Sequence, residues 1–104
     1  MAKPSQAELV SIADGGFILR GSLTFDTVPV LWRDSARLLA GGKHGGATVN
    51  LAGVARADSA GLALLVAWQA QAAVAGQRLA YEAIPERLLA IARISEVDGL
   101  LSQA

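Results

Sequence analysis

The stretch Val49-Asn50-Leu51-Ala52-Gly53-Val54-Ala55-Arg56-Ala57-Asp58-Ser59-Ala60-Gly61-Leu62-Ala63-Leu64-Leu65 decides how this chain is read. An apolar run enters a turn that carries Asp58 and Ser59, and a second apolar run leaves it and continues to Gly76. Ala47–Ala52 contains the β-branched Thr48 and Val49 and is bounded by Gly45-Gly46 and Gly53. That pattern predicts a short, mostly buried strand. Asp58 and Ser59 each offer an oxygen to the free N–H groups of a helix start, so either can be the N-cap. Gly61 is a poor helix former and leaves room for a close approach to the backbone. Gly76 is the expected stop. A helix N-terminus favours negative charge. Asp58 suits it, and a phosphate on Ser59 would be tolerated. By spacing alone the pair need do no more than cap the helix.

On a 3.6-residue period, Gly61, Leu64, Leu65, Trp68 and Ala72 share the arc expected to face a core. The opposite arc holds Ala63, Val66, Ala67, Ala70 and Val74, and no charged residue occurs from Ala60 to Ala75. A water-facing helix is normally polar on that side. Either a neighbouring helix covers this arc or a partner protein does.

Working outward, the 104 residues suit one domain with a modest core. The chain is 53% apolar and 17% charged, the balance of a globular protein. Nine basic residues match nine acidic ones, so the electrostatic footprint of a nucleic-acid binder is missing. There is no cysteine, which excludes disulfides, thiol nucleophiles and thiolate metal sites. No apolar leader opens the chain. The Ala60–Ala75 run is broken by Gln69 and Gln71 and is shorter than the roughly 20 residues of a membrane span. A cytoplasmic protein is expected, reaching a membrane only through a partner.

The remaining elements follow in order. Residues 1–8 read as a disordered polar tail and 9–104 as the domain. Leu9–Ala13 and Phe17–Leu23 read as strands joined by an Asp14-Gly15-Gly16 hairpin turn. Thr24 or Asp26 is expected to cap a helix over Thr27–Leu39, with Pro29 in its first turn. Leu31, Trp32, Ser35, Leu38 and Leu39 approximate its core stripe. Gly41–Gly46 is a loop; its Gly-Lys-His leads to a strand and is not a Walker phosphate loop. His44, the sole histidine, has no neighbouring ligand set and is expected to be solvated. Arg78–Ala83 reads as a strand. Pro85 opens a last helix with Leu88, Ile91, Ala92 and Ser95 inward and Glu86, Arg87 and Arg93 outward, and Leu100 and Leu101 are expected to pack back on the sheet. The order β-β-α-β-α-β-α predicts one α/β domain with a mixed four-stranded sheet and helices packed on it.

In that context, Asp58-Ser59-Ala60-Gly61-Leu62-Ala63-Leu64-Leu65 resembles the signature of the STAS domain family. The family includes anti-sigma factor antagonists, sulfate-transporter tails and a small subunit of the bacterial Mla phospholipid-transport ABC complex. Gly21–Trp32 is similar to the second strand and first-helix entry of the Mla-type subgroup, and Leu88–Ser95 to its third helix. The resemblance runs from about Gly16 to Leu101. It implies a non-enzymatic STAS domain that docks on an ABC-transporter ATPase, and through it on a membrane permease, supporting outer-membrane lipid asymmetry at the inner membrane's cytoplasmic side. The alternative it implies is an anti-sigma factor antagonist, where the residue matching Ser59 is phosphorylated. The expected contact residues are Asp58, Ser59, Ala60, Gly61, Ala63, Ala67 and Ala70. No cofactor or metal is expected. Ser59 lacks a Gly-x-Ser-x-Gly elbow and a partner base, and no acid pair or nucleophile–base pair stands out.

Overall fold

The computed structural model describes residues 6–12, 15–40 and 46–95. Seven elements follow one another: β1 (Ala7–Ser11), β2 (Gly16–Leu23), α1 (Val28–Ala40), β3 (Gly46–Ala57), α2 (Ser59–Val74), β4 (Arg78–Glu82) and α3 (Glu86–Ile94). The strands form one sheet in the order β1-β2-β3-β4. β1 runs antiparallel to β2, pairing Ala7 with Gly21 and Ser11 with Phe17. β2, β3 and β4 run parallel, with α1 as the crossover from β2 to β3 and α2 as the crossover from β3 to β4. The mixed sheet and the element order agree with the sequence reading.

One row across the sheet is Phe17, Val49 and Tyr81, paired in register. It faces the helices, and the next row, Ile18, Asn50 and Glu82, turns away by strand alternation. Phe17, Leu19, Leu23, Val49, Leu51 and Leu79 from the strands meet Leu31, Leu62, Leu64, Leu65, Trp68, Leu88 and Ala92 from the helices. Each fully buried leucine contributes about 1.5–3 kcal/mol relative to exposure. α2 lies in the middle of the helical layer, touching α1, α3, β3 and β4.

Several details differ from the sequence reading. β1 begins at Ala7, so Ala7 and Glu8 belong to the sheet and not to a tail. The side chain that fastens the entry to α1 is that of Thr27, not Thr24 or Asp26. Its Oγ1 donates to the Ser22 carbonyl at 2.7 Å and accepts from the Thr24 amide at 3.0 Å. Ser95 is exposed and outside the α3 stripe. The largest difference is β3, which passes through Gly53 and runs twelve residues.

Two bulges explain the length of β3. Between the pairs Ile18–Asn50 and Arg20–Gly53, and again between Gly21–Val54 and Ser22–Arg56, β3 spends one residue more than β2. Asn50 Oδ1 accepts from the Ala52 amide at 2.8 Å, which braces the first. Each extra residue reverses the side-chain alternation. Val49 and Leu51 are in the core, then the even-numbered Val54 packs against it, then Ala57 is buried again. Gly53 is needed where β3 presses on β2, because a Cβ there would sit 2.7 Å from Arg20 Cγ.

The expected core position of Trp32 is also corrected: it is 40% exposed. Trp68 fills the space between α1 and α2 instead, and its Nε1 donates to Ser35 Oγ at 2.7 Å. The inward side of α1 runs through Leu31 and Ser35, both buried, and Trp32 lies off it. Leu38, Leu39, His44, Leu100 and Leu101 lie outside the described side chains. Among those described, no buried side-chain polar atom lacks a partner.

Candidate functional site

The turn between β3 and α2 is organised by one carboxylate. Asp58 is extended, with φ −135° and ψ −171°. Its Oδ1 accepts from the amides of Ala60 at 2.9 Å and Gly61 at 3.2 Å, so Asp58 is the N-cap of α2. Its Oδ2 accepts from the Phe25 amide at 3.1 Å. Its own amide donates to the Leu23 carbonyl at 3.2 Å. One side chain thus joins the start of α2 to the loop between β2 and α1, 33 residues away in sequence.

With Asp58 as cap, Ser59 becomes the first residue of the helix. It is exposed, and its hydroxyl makes no hydrogen bond among the described residues. The expected close approach to Gly61 exists, but the chain itself makes it. A Cβ on Gly61 would lie 2.3 Å from the Leu23 carbonyl oxygen and 2.8 Å from Leu23 Cγ. Gly61 is therefore interior, where it lets α2 pack on the end of β2, and Ala60 is half-buried.

Ser59, Ala63, Ala67, Ala70 and Val74 succeed one another at intervals of four, four, three and four residues. That spacing lines them along one side of α2 over about 22 Å. Ala63 and Ala70 are exposed, Ala67 is half-buried and Val74 is 91% exposed. Val66, expected on this outer arc, instead packs against the core, as does Leu62 one turn earlier. α3 packs beside α2, so the predicted helical cover reaches a flank of α2 and leaves the stripe open.

The far end of the stripe borders a cleft of about 790 Å³, lined by Trp32, Ala67, Ala70, Val74, Gln77 and Arg78 among others. The expected contact residues thus divide. Asp58, Ser59, Ala60, Gly61 and Ala63 gather at the start of α2, and Ala67 and Ala70 stand beside the cleft two to three turns on.

Phe25 is the residue that sequence reading missed. It is 78% exposed, on the loop that Asp58 holds. The available signal was its isolation: one large apolar side chain among Thr24, Asp26 and Thr27, just before a helix.

Among the described residues, no group of three or more His, Asp or Glu side chains could hold a metal ion. No described helix is long and apolar enough to cross a membrane. The strongly perturbed group is Tyr81, whose phenol is pushed up by burial. Its hydroxyl donates to the Leu65 carbonyl of α2 at 2.6 Å and fixes the helix on the sheet.

The family model described as "Mlab, STAS domain" matches residues 13–102. Among solved structures, the anti-sigma factor antagonist SpoIIAA in its unphosphorylated form is similar, with a TM-score of 0.71 and 13% identity. The match covers 93% of this chain and 85% of that one, and at this identity it establishes a shared fold. No curated protein matches the chain. With the family model spanning most of the sequence and the SpoIIAA fold reproduced, the chain belongs to the STAS domain family.

Proposed function

We propose that this chain is a non-enzymatic STAS subunit that docks on the ATPase of a phospholipid-transport ABC complex. The observation that carries the reading is the uncovered face of α2. A fixed helix start with a free serine hydroxyl continues into a charge-free stripe of small side chains that α3 leaves open. A surface so short of polar groups is a contact surface for protein. Its small residues let a partner's backbone come close. The "Mlab" description of the matching family model supports a transport subunit as the setting. The ATPase performs hydrolysis, and this domain supports its assembly or activity. The domain then sits at the cytoplasmic side of the inner membrane, reaching the permease through the ATPase.

Gentle purification of the tagged protein from its native membranes tests the reading. An ABC ATPase recovered together with an integral permease is the expected result. A soluble kinase-like partner without either of them overturns it.

The free hydroxyl of Ser59 and the likeness to SpoIIAA favour a second reading, an anti-sigma factor antagonist switched at Ser59. Phosphorylation would add about −1.5 to −2 charges at neutral pH. Phosphopeptide mass spectrometry of the protein from growing and starved cells separates the two. Phosphate on Ser59 that changes with growth, and no ATPase in the eluate, is the outcome for the switch.

A further inference from the structure

We infer that Phe25 is the apolar anchor of the docking face, presented by Asp58 to a partner socket that is apolar inside and basic at its rim. The inference rests on the docking reading above and names the chemistry of the surface it meets. Val30, Trp32, Val74 and Ile94 are exposed on helices, and Ile12, 47% exposed, follows the edge strand β1, whereas Phe25 is 78% exposed on the loop beside the start of α2. Its loop is fastened at the amides of Thr24, Phe25 and Thr27. Its amide is held by Asp58 Oδ2 at 3.1 Å. The Thr27 amide donates to the Thr24 carbonyl at 3.0 Å, closing a turn across Phe25 and Asp26. Thr27 Oγ1 ties the same turn to Ser22 and Thr24. The loop has therefore met its ordering cost before any partner arrives, and preordered groups lose least on binding. An exposed aromatic side chain on a fixed backbone has the character of an interface hot spot.

Charge selects the partner. Asp26, the residue after Phe25, is exposed and makes no ion pair among the described residues. The Asp58 carboxylate is bonded to the Phe25 amide and adds a second negative charge to this loop. A socket ringed by Lys or Arg complements this pair of carboxylates, and an acidic rim is repelled. Asp58 is a positioning residue here: its Oδ1 fixes the Ser59 end of α2 while Oδ2 fixes the loop that bears Phe25.

The test measures binding of the full-length chain to the phospholipid-transport ATPase of the same cell by biolayer interferometry. Phe25→Ala is expected to weaken binding by at least about tenfold, the scale of a hot-spot truncation. Phe25→Leu is expected to stay within about threefold, because it still fills an apolar socket. Asp26→Lys is expected to lower affinity and flatten its salt dependence. Unchanged thermal melting of each variant shows that the loss is local. A benzoylphenylalanine placed at position 25 is expected to cross-link to the ATPase. If Phe25→Ala binds normally and position 25 gives no adduct while Ala70→Glu abolishes binding, Phe25 is no anchor and the docking reading stands. If the unaltered chain does not bind the ATPase, the docking reading falls and this inference falls with it.

Discussion

At the scale of single residues, Asp58 and Gly61 hold the site by opposite means, one by what it bonds and one by what it lacks. Asp58→Ala removes acceptors for two helix amides and for Phe25. A lost cap costs about 0.5–2 kcal/mol, and the upper end is expected here in urea unfolding. Gly61→Ala would drive a Cβ against the backbone oxygen of Leu23. Overpacking of this kind costs about 1–3 kcal/mol or more, enough to lower the melting temperature by several degrees. Tyr81 gives a pH signature. Burial raises its native pKa above the ordinary value of about 10, while the unfolded chain ionises at that value. The stability it confers is complete below about pH 10 and is lost above it, by about 1.4 kcal/mol per pH unit. Tyr81→Phe is expected to lose the bond to Leu65 and to flatten that alkaline arm in pH-dependent melting. Asp58 and Ser59 were both legible as capping candidates. Which one caps was not, because the choice depends on Phe25 and Leu23, which only folding brings near.

The helix α2 is where sequence periodicity told most. Of the expected core face, Gly61, Leu64, Leu65 and Trp68 are buried and Ala72 is half-buried against the core. Leu62 and Val66 were not expected there, because a helical wheel cannot place α3 against one flank. The sorting sharpens the mutational test of the outer face. Ala70 is exposed, whereas Ala67 is half-buried. Ala70→Glu is therefore expected to abolish copurification with the ATPase at unchanged melting temperature, and Ala67→Glu to lower both. Normal recovery of the ATPase with Ala70→Glu would remove the stripe from the docking face. The end of α2 was legible for a local reason. The amide of Gly76 donates to the Ala73 carbonyl and that of Gln77 to the Ala72 carbonyl. With φ +73° at Gly76, this is a Schellman motif written in one glycine.

Across the whole molecule, element order, strand polarity and the single-domain layout could be read because alternation and turn residues are local signals. The exposure of Trp32 could not, since which tryptophan fills the space between α1 and α2 is settled only when the two helices meet, where Trp68 bonds Ser35. Nor could the length of β3. A glycine inside a strand looks like an end until the neighbouring strand is known, and here Gly53 marks a bulge where Arg20 comes close.

Those bulges make the distance from sheet to turn a matter of parity. Two surplus residues in β3 cancel in phase, so Val49 and Ala57 both point into the core although β2 needs fewer steps between their partners. Removing one surplus residue leaves an odd count. Deleting Ala52 alone, or Ala55 alone, is expected to send Ala57 outward and Asp58 away from Phe25, with a cooperative melt lost or sharply lowered. Deleting both restores an even count. The double deletion is therefore expected to melt higher than either single one, an order that a model of independent damage reverses. Natural variation in this strand should accordingly come in pairs of residues, so that the carboxylate at its end keeps its aim.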